Sequence, residues 1–115
     1  MNRLLEIRSY KLKPGAGGDF HRLVSERSAP LHADWGIDVV AFGQSLHDPD
    51  AYYLMRAYKD QADLEASQAA FYGSAAWREG PREAIVALIE SDANAVMWLD
   101  NDAIALLRDA RGAAL

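Results

Sequence analysis

Hydrophobic and polar positions alternate along residues 3–12, where Leu5 and Ile7 alternate with Glu6, Arg8 and Tyr10. A period of two is typical of a β-strand, because successive side chains point to opposite faces of the sheet. Pro14 lacks the backbone N–H that a strand ladder needs, and Gly15 accommodates turn geometry. The pattern therefore predicts a first strand that ends at the turn holding these two residues.

Two longer stretches repeat their apolar residues at intervals of three and four, which is the spacing of one helix face. The first runs over residues 19–33, and Pro30 should kink it or end its regular part. The second begins after Asp60, a plausible N-cap, and Ser74 can cap a further helical piece that continues to about residue 89.

Three more strands complete the pattern. Residues 37–46 and 51–59 are rich in β-branched and aromatic side chains and flank a His-Asp-Pro-Asp turn, so they predict a hairpin. Residues 93–100 predict a fourth strand, and a short helix follows from about residue 101. Strand, helix, strand, strand, helix, strand is the order of the ferredoxin-like split βαβ sandwich. We therefore expect one α+β domain over residues 1–115, with a four-stranded antiparallel sheet and helices on one face.

Composition restricts the class of protein more than its chemistry. Hydrophobic residues make up 50% of the chain and charged residues 25%, the profile of a soluble globular domain. The net charge of -5 opposes binding to nucleic-acid phosphates. No stretch approaches the roughly 18 apolar residues of a membrane span. Because cysteine is absent, disulfides, thiolate nucleophiles and cysteine-bound metals are excluded. We expect a cytoplasmic protein that binds neither nucleic acid nor membrane.

The sheet has two faces, and we expect the helices to cover the face that carries Leu5 and Ile7. The opposite face would then carry large apolar side chains together with charges, a kind of patch that usually marks an interface or a ligand groove. We therefore predict a homodimer in which two sheets face each other and enclose a cavity. The register of the fourth strand, and with it the face of Trp98, stays open. The side chains expected at that cavity are Glu6, Arg8, Tyr10, Arg56 and Tyr58, with His32 at its mouth.

The string from Glu6 to Gly15, EIRSYKLKPG, resembles the opening motif of the NIPSNAP family, in which a Glu-x-Arg-x-Tyr strand runs into a Leu-x-Pro-Gly turn. The resemblance continues through the helix, the hairpin and the aromatic-rich third strand to about residue 100. It implies the dimeric α+β barrel fold, which small monooxygenases share. It implies little about a reaction, because the roles proposed for the family are diverse and include binding and scaffolding. No catalytic residues can be carried over from it.

Glu6, Arg8 and Arg56 have two interpretations, and both stay open at this point. They can form an ion-pair network that holds the barrel wall or the dimer. They can also anchor an anionic or carbonyl-bearing ligand, since a planar guanidinium holds two oxygens at once. Tyr10, Tyr52 and Tyr58 would offer hydroxyls to the same cavity, although packing is a more ordinary role for such tyrosines than acid catalysis.

The three histidines give no sign of a metal site. His21, His32 and His47 are separated unlike the ligands of any compact metal motif. Haem-degrading relatives of this fold hold iron through a histidine on the second helix, and that helix has none here. We therefore expect no metal and no cofactor. His32, at the end of the first helix, is either a proton carrier at the cavity edge or a solvated helix-end residue.

Several functions fit these observations. We expect a protein that binds a small organic ligand in a cavity between the sheet and its dimer partner. Its catalytic form would be a cofactor-independent monooxygenase-like or isomerase-like enzyme. The alternative is a non-catalytic binding or scaffold dimer, and a third outcome is a structural dimer whose side chains fill the cavity. Whether the protein is an enzyme is left undecided.

Overall fold

Four strands and six helices form the chain in the computed structural model, which describes residues 1–113, with side chains through Ala110. The strands are β1 Asn2–Leu12, β2 Asp38–Gln44, β3 Ala51–Tyr58 and β4 Ile89–Asp100. The helices are α1 Gly17–Leu23, α2 Ala29–Asp34, α3 Gln61–Gly73, α4 Ala75–Arg78, α5 Arg82–Val86 and α6 Asn101–Ala113, with a π-helical segment, Val24–Ser28, between α1 and α2.

The sheet has the strand order β2-β3-β1-β4, and every pair is antiparallel. This confirms the predicted fold class, with β1 in the centre between β3 and β4. The fourth strand begins at Ile89 rather than at residue 93, because β1 continues to pair with it through Leu12 beyond an irregularity at Lys11. Trp98 pairs with Leu4, which settles the register that the sequence left open.

The first helical stretch is continuous rather than broken at Pro30. A π-helical segment, Val24–Ser28, precedes this proline, which lies in the first turn of α2. Proline is tolerated in a first turn, where its missing N–H is not needed, and its clash with the preceding turn is relieved by the wider π-turn. The helical stretch therefore runs without a break through His32.

The second helical stretch is divided as its capping residues predict. The Asp60 carboxylate accepts a hydrogen bond from the Asp63 backbone N–H at 2.8 Å, and α3 begins there. The Ser74 hydroxyl oxygen accepts a hydrogen bond from the Trp77 N–H at 3.2 Å and starts α4. Each cap satisfies a backbone donor that has no partner within its helix.

The assignment of the two sheet faces from sequence is wrong. The helices α1 to α5 cover the face that carries Leu4, Glu6 and Leu12, not the face of Leu5 and Ile7. Both faces of β1 hold apolar residues, so alternation could not distinguish them. The helices contribute large aromatic rings, which pack against the tyrosines of β3. The principal core is formed by Phe20, Tyr52, Tyr58, Phe71, Trp77 and their neighbours.

The other face of the sheet is covered at one end by α6. Ile104 of this helix is fully buried against a cluster that includes Leu5, Val40 and Ala57. Beyond α6, the same face keeps several partly or largely exposed apolar side chains. These are Ile7, Tyr53, Met55, Ala95 and Met97. We call them the uncovered face.

A charge at the α6 contact tests this assignment of faces. Leu5→Asp forces a carboxylate into the cluster beneath α6, so we expect a loss of several kcal/mol in the free energy of unfolding, or no folded protein. Ser9→Asp lies on the same strand and face but is exposed, and it should unfold like the parent. Equal urea denaturation midpoints for both variants would contradict the packing described.

Candidate functional site

A cavity of about 380 Å³ lies between the helices and the face of the sheet that they cover. Its apolar wall includes Phe20, Val24, Leu54, Trp77, Ile85 and Ile89. Its polar wall includes Arg8, Tyr10, His32, Gln68, Tyr72 and Asp92. Arg82 and Val86 also line it and are exposed, so they mark its mouth. These lining residues place the cavity between the sheet and the helices of the same chain, whereas the sequence suggested a cavity on the face of the sheet that the helices leave open.

Behind the polar wall, Glu6 and Arg56 form an ion pair with no exposed surface. The Arg56 Nε–H donates to Glu6 Oε1 at 2.6 Å, and both side chains are 0% exposed. Glu6 Oε2 accepts further hydrogen bonds from the amides of Gln68 and Asn94, each at 2.9 Å. Burial by itself would raise the pKa of Glu6, but Arg56 and the two amides hold that pKa below its ordinary value. The carboxylate is therefore kept ionised.

Arg56 also makes hydrogen bonds to two residues of the cavity wall. Its Nη1 donates to the Tyr72 hydroxyl oxygen at 2.7 Å and lies 3.0 Å from His32 Nε2. The guanidinium carbon lies 5.7 Å from the centre of the Tyr72 ring, a cation–π distance. Its Nη2 is buried and has no hydrogen-bond partner among the described residues.

His32 is buried and neutral rather than solvated. Its Nδ1 lies 2.7 Å from the Ser28 carbonyl oxygen, so Nδ1 carries the proton and Nε2 accepts from Arg56. Burial, helped by the charge of Arg56, lowers the pKa of His32 to about 4. In this state the ring has no proton to give to the cavity near neutral pH.

Arg8 and Tyr10 lie side by side on β1 and line the cavity. One Nη of Arg8 donates to Asp92 at 3.1 Å, while its Nε is buried and has no partner among the described residues. Burial raises the pKa of Tyr10, so its hydroxyl stays protonated. The guanidinium carbon of Arg8 lies 5.8 Å from the Tyr10 ring centre.

The structure thus brings the six sequence candidates together, but in two layers. Arg8, Tyr10 and His32 line the cavity. Glu6, Arg56 and Tyr58 lie behind its wall, where the Tyr58 hydroxyl meets the amide of Gln68 at 3.1 Å. Burial raises the pKa of Tyr58.

Sequence reasoning missed Gln68 and Tyr72, which connect the two layers. They are four residues apart on α3, so they share a helix face. That spacing could have placed them opposite the strand residues. Their partners could not be read from it, since these lie on β1 and β3.

A hydroxyl on the far wall also has a histidine partner. His21 is partly buried, and its Nδ1 lies 2.6 Å from the hydroxyl of Tyr52, which lines the cavity. Within the described part of the chain, no group of three His, Asp or Glu side chains could hold a metal ion. No helix there is long and apolar enough to span a membrane.

The neutral state of His32 predicts a pH-dependent stability. The pKa of His32 is lowered to about 4 from about 6.5 in the unfolded chain. The part of the folding stability that depends on a neutral His32 is therefore complete above about pH 6.5 and is lost as pH falls towards 4. Between pH 7 and 5 this contribution should fall by about 2 kcal/mol. Urea unfolding should show a smaller decline in His32→Gln than in the parent. His47→Gln should decline like the parent, and an unchanged slope in His32→Gln would contradict a buried neutral imidazole.

The fold recurs in known proteins. A sequence profile of the NIPSNAP family matches residues 5–101. A NIPSNAP family protein from Agrobacterium tumefaciens has a TM-score of 0.79 and 17% identity, covering 90% of each chain. Another from the same organism, of unknown function, has a TM-score of 0.77 and 22% identity, covering 84% of this chain and 87% of the other. No curated protein matches.

A more distant solved structure is that of a protein from Nitrosomonas europaea provisionally named an antibiotic biosynthesis monooxygenase. Its TM-score is 0.62 at 18% identity, covering 82% of this chain and 95% of the other. At such identities these structures share the fold alone. The family profile, however, matches from Leu5, within β1, to Asn101, the first residue of α6. The chain therefore belongs to the NIPSNAP family.

Proposed function

We propose that this protein binds a small organic ligand that carries an anionic or carbonyl oxygen, in the cavity between its sheet and its own helices. The observation that supports this most is the pair of buried guanidinium nitrogens, Arg8 Nε and Arg56 Nη2, that have no partner within the described residues. A buried donor without an acceptor costs about 1–3 kcal/mol, and more when charged. An acceptor that enters the cavity beside Arg8 would remove part of that cost.

The charge balance of the cavity favours a negatively charged or strongly polar ligand. Its charged groups, including the layer behind the wall, are Arg8, Arg56, Arg82, Glu6 and Asp92. Three positive charges therefore meet two negative ones, although the protein as a whole carries a net charge of -5. His32 does not change the balance, because its lowered pKa keeps it neutral. Glu6 pairs with Arg56 and Asp92 with Arg8, so the excess charge is that of Arg82 at the exposed mouth, where it would attract an anion to the entrance.

The size and the apolar wall favour an organic molecule over an inorganic anion. About 380 Å³ lies in the lower part of the range of roughly 300–1,000 Å³ that is typical of small-molecule sites. Phe20 and Trp77 supply aromatic surface on the helix side of the cavity. A flat ring bearing one oxygen-containing substituent matches this division between apolar and polar walls.

Loss of Arg8 should weaken binding more than it weakens the fold. We expect Arg8→Ala to lose about 1.5–3 kcal/mol of binding free energy for a ligand oxygen that it contacts. The probes are 4-nitrobenzoate, acetophenone and 4-nitrophenol, measured by calorimetry. Arg22→Ala is the matched control, because Arg22 is exposed on α1 and pairs there with Asp19. Equal affinity of both variants for every probe that the parent binds would exclude Arg8 as the anchor.

A catalytic role is the more specific version of this ligand-binding proposal. Tyrosine hydroxyls and a donor-rich wall would suit a cofactor-independent monooxygenase-like or isomerase-like reaction, in which the reactive carbon belongs to the ligand. The alternative is a non-catalytic binding or scaffold dimer, which is favoured by how fully Glu6 satisfies its hydrogen bonds within the fold. Recovery of bound probes unchanged, with no uptake of dioxygen, would favour the alternative.

A cytoplasmic location is proposed on composition alone.

We also propose that a second copy of the chain packs on the uncovered face. This face carries Ile7, Tyr53 and Met55 next to Met97, which is 42% exposed. An apolar patch of this kind is suited to a two-fold interface, since the same surface serves both subunits. The dimer predicted from sequence is thereby kept, but through the face opposite to the one first assigned.

A charge on the uncovered face should separate the subunits without unfolding them. Met55→Glu places two carboxylates near each other across a two-fold axis, in an interface expected to bury about 2,000 Å² in total. Sedimentation velocity at micromolar concentration should give a dimer for the parent and a monomer for the variant. Leu46→Glu, in the fully exposed hairpin turn, should stay dimeric. A parent that sediments as a monomer would refute the proposed dimer.

A further inference from the structure

We propose that the hydroxyl of Tyr72 and the Nε–H of Arg8 converge on a single ligand oxygen, so that the cavity binds the anion of an acidic hydroxyl, a phenolate or an enolate, more tightly than its neutral form. This inference rests on the ligand cavity proposed above and narrows its ligand class. The inference follows from counting the hydrogens that each polar group at the site can donate.

The hydrogens of Arg56 fix the orientation of Tyr72. A guanidinium has five N–H groups, and the Arg56 Nε–H is used by Glu6. Nη1 carries two hydrogens and has two neighbours, His32 Nε2 at 3.0 Å and the Tyr72 oxygen at 2.7 Å. Since His32 Nδ1 donates to the Ser28 carbonyl, Nε2 can accept only. Both Nη1 hydrogens are therefore committed, and the Tyr72 oxygen is an acceptor from a charged donor.

The Tyr72 proton must then point away from Arg56. It has no acceptor among the described residues, and Tyr72 lines the cavity. A hydroxyl whose oxygen already accepts from a charged N–H is polarised, so its own hydrogen becomes a stronger donor. Tyr72 thus offers the cavity a hydrogen bond that the guanidinium behind it strengthens.

Arg8 supplies the second donor, and it does so with one N–H. Its Nε is buried without a partner, while a terminal nitrogen of the same guanidinium is engaged by Asp92. The edge that would hold both oxygens of a carboxylate is therefore partly occupied. One N–H from Arg8 and one O–H from Tyr72 suit a single oxygen, and the aromatic surface of Trp77 suits a ring attached to it.

The remaining groups at the cavity offer no competing base. Titratable and charged side chains that face it include Arg8, Tyr10, His32, Tyr52, Arg82 and Asp92, with Glu6, Arg56 and Tyr58 behind the wall and His21 behind Tyr52. Asp92 is paired with Arg8, and Nε2 of His32 is used by Arg56. A ligand hydroxyl that enters beside Tyr72 therefore meets donors, and binding is strengthened when the ligand loses its proton to solvent.

The test is a spectrophotometric pH titration of 4-nitrophenol with the protein in excess, since the phenolate is coloured and the phenol is not. We expect nitrophenolate to bind at least tenfold more tightly than nitrophenol, which lowers the probe's pKa by one unit or more. Tyr72→Phe should reduce the preference for the phenolate at least tenfold and bind the neutral probe unchanged. Arg22→Ala, the exposed control on α1, should behave like the parent.

The parent protein alone can already overturn the preference for the phenolate, so this part of the test does not depend on a variant that folds. Binding of 4-nitrophenol with an unchanged pKa, or tighter binding of 4-nitrobenzoate than of nitrophenolate, would overturn this inference and leave the proposed cavity intact. Failure of 4-nitrophenol, 4-nitrobenzoate and acetophenone to bind would overturn both. A lowered probe pKa that survives in Tyr72→Phe would exclude Tyr72 as the donor.

Discussion

A carboxylate and a guanidinium that are both removed from water need hydrogen-bond partners within the protein, and the Glu6–Arg56 pair finds them, except at Arg56 Nη2, by joining four elements. Glu6 lies on β1 and Arg56 on β3, while the amides that complete Glu6 come from Gln68 on α3 and Asn94 on β4. Such a pair adds little net stability compared with apolar packing. It does restrict how α3 can lie on the sheet, because another position would cost the buried Oε2 of Glu6 one of its two donors, the amide of Gln68. Because α3 forms part of the wall of the neighbouring cavity, the shape of the cavity is restricted in the same way.

Burial of the pair also determines what the cavity can do chemically. Arg56 does not line the cavity, and its charge acts there through the Tyr72 hydroxyl and the His32 ring. The same contact that orients Tyr72 helps lower the pKa of His32 and removes that histidine as a proton donor. The orientation of the Tyr72 hydroxyl and the neutral state of His32 are therefore both consequences of one interaction. A second histidine, His21, lies against Tyr52 on another wall and is independent of it.

The sequence was sufficient for features that depend on neighbours along the chain and insufficient for those that depend on neighbours in space. The period of two in β1, the Asp60 and Ser74 caps and the order of elements all follow from local rules. The choice of sheet face does not, because Leu4 and Leu12 on one side balance Leu5 and Ile7 on the other. The charges of Glu6 and Arg8 suggested a face that meets solvent or a second subunit. The residue that pairs with Glu6 lies on another strand, so the sequence around Glu6 did not indicate it. Tyr72 was missed for the same reason, since its role comes from Arg56.

The corrected faces separate two functions that the sequence had combined. Alternation along β1 directs Arg8 into the cavity under the helices and Ile7 onto the uncovered face beyond α6. A ligand and a second copy of the chain would therefore meet opposite sides of one strand, and neither needs the other to complete its site. Coupling between them would have to pass through β1 and β3, whose positions the buried pair fixes. Because both members of that pair are 0% exposed and hydrogen-bonded, the strands have little freedom to shift, and the two sites are expected to act independently.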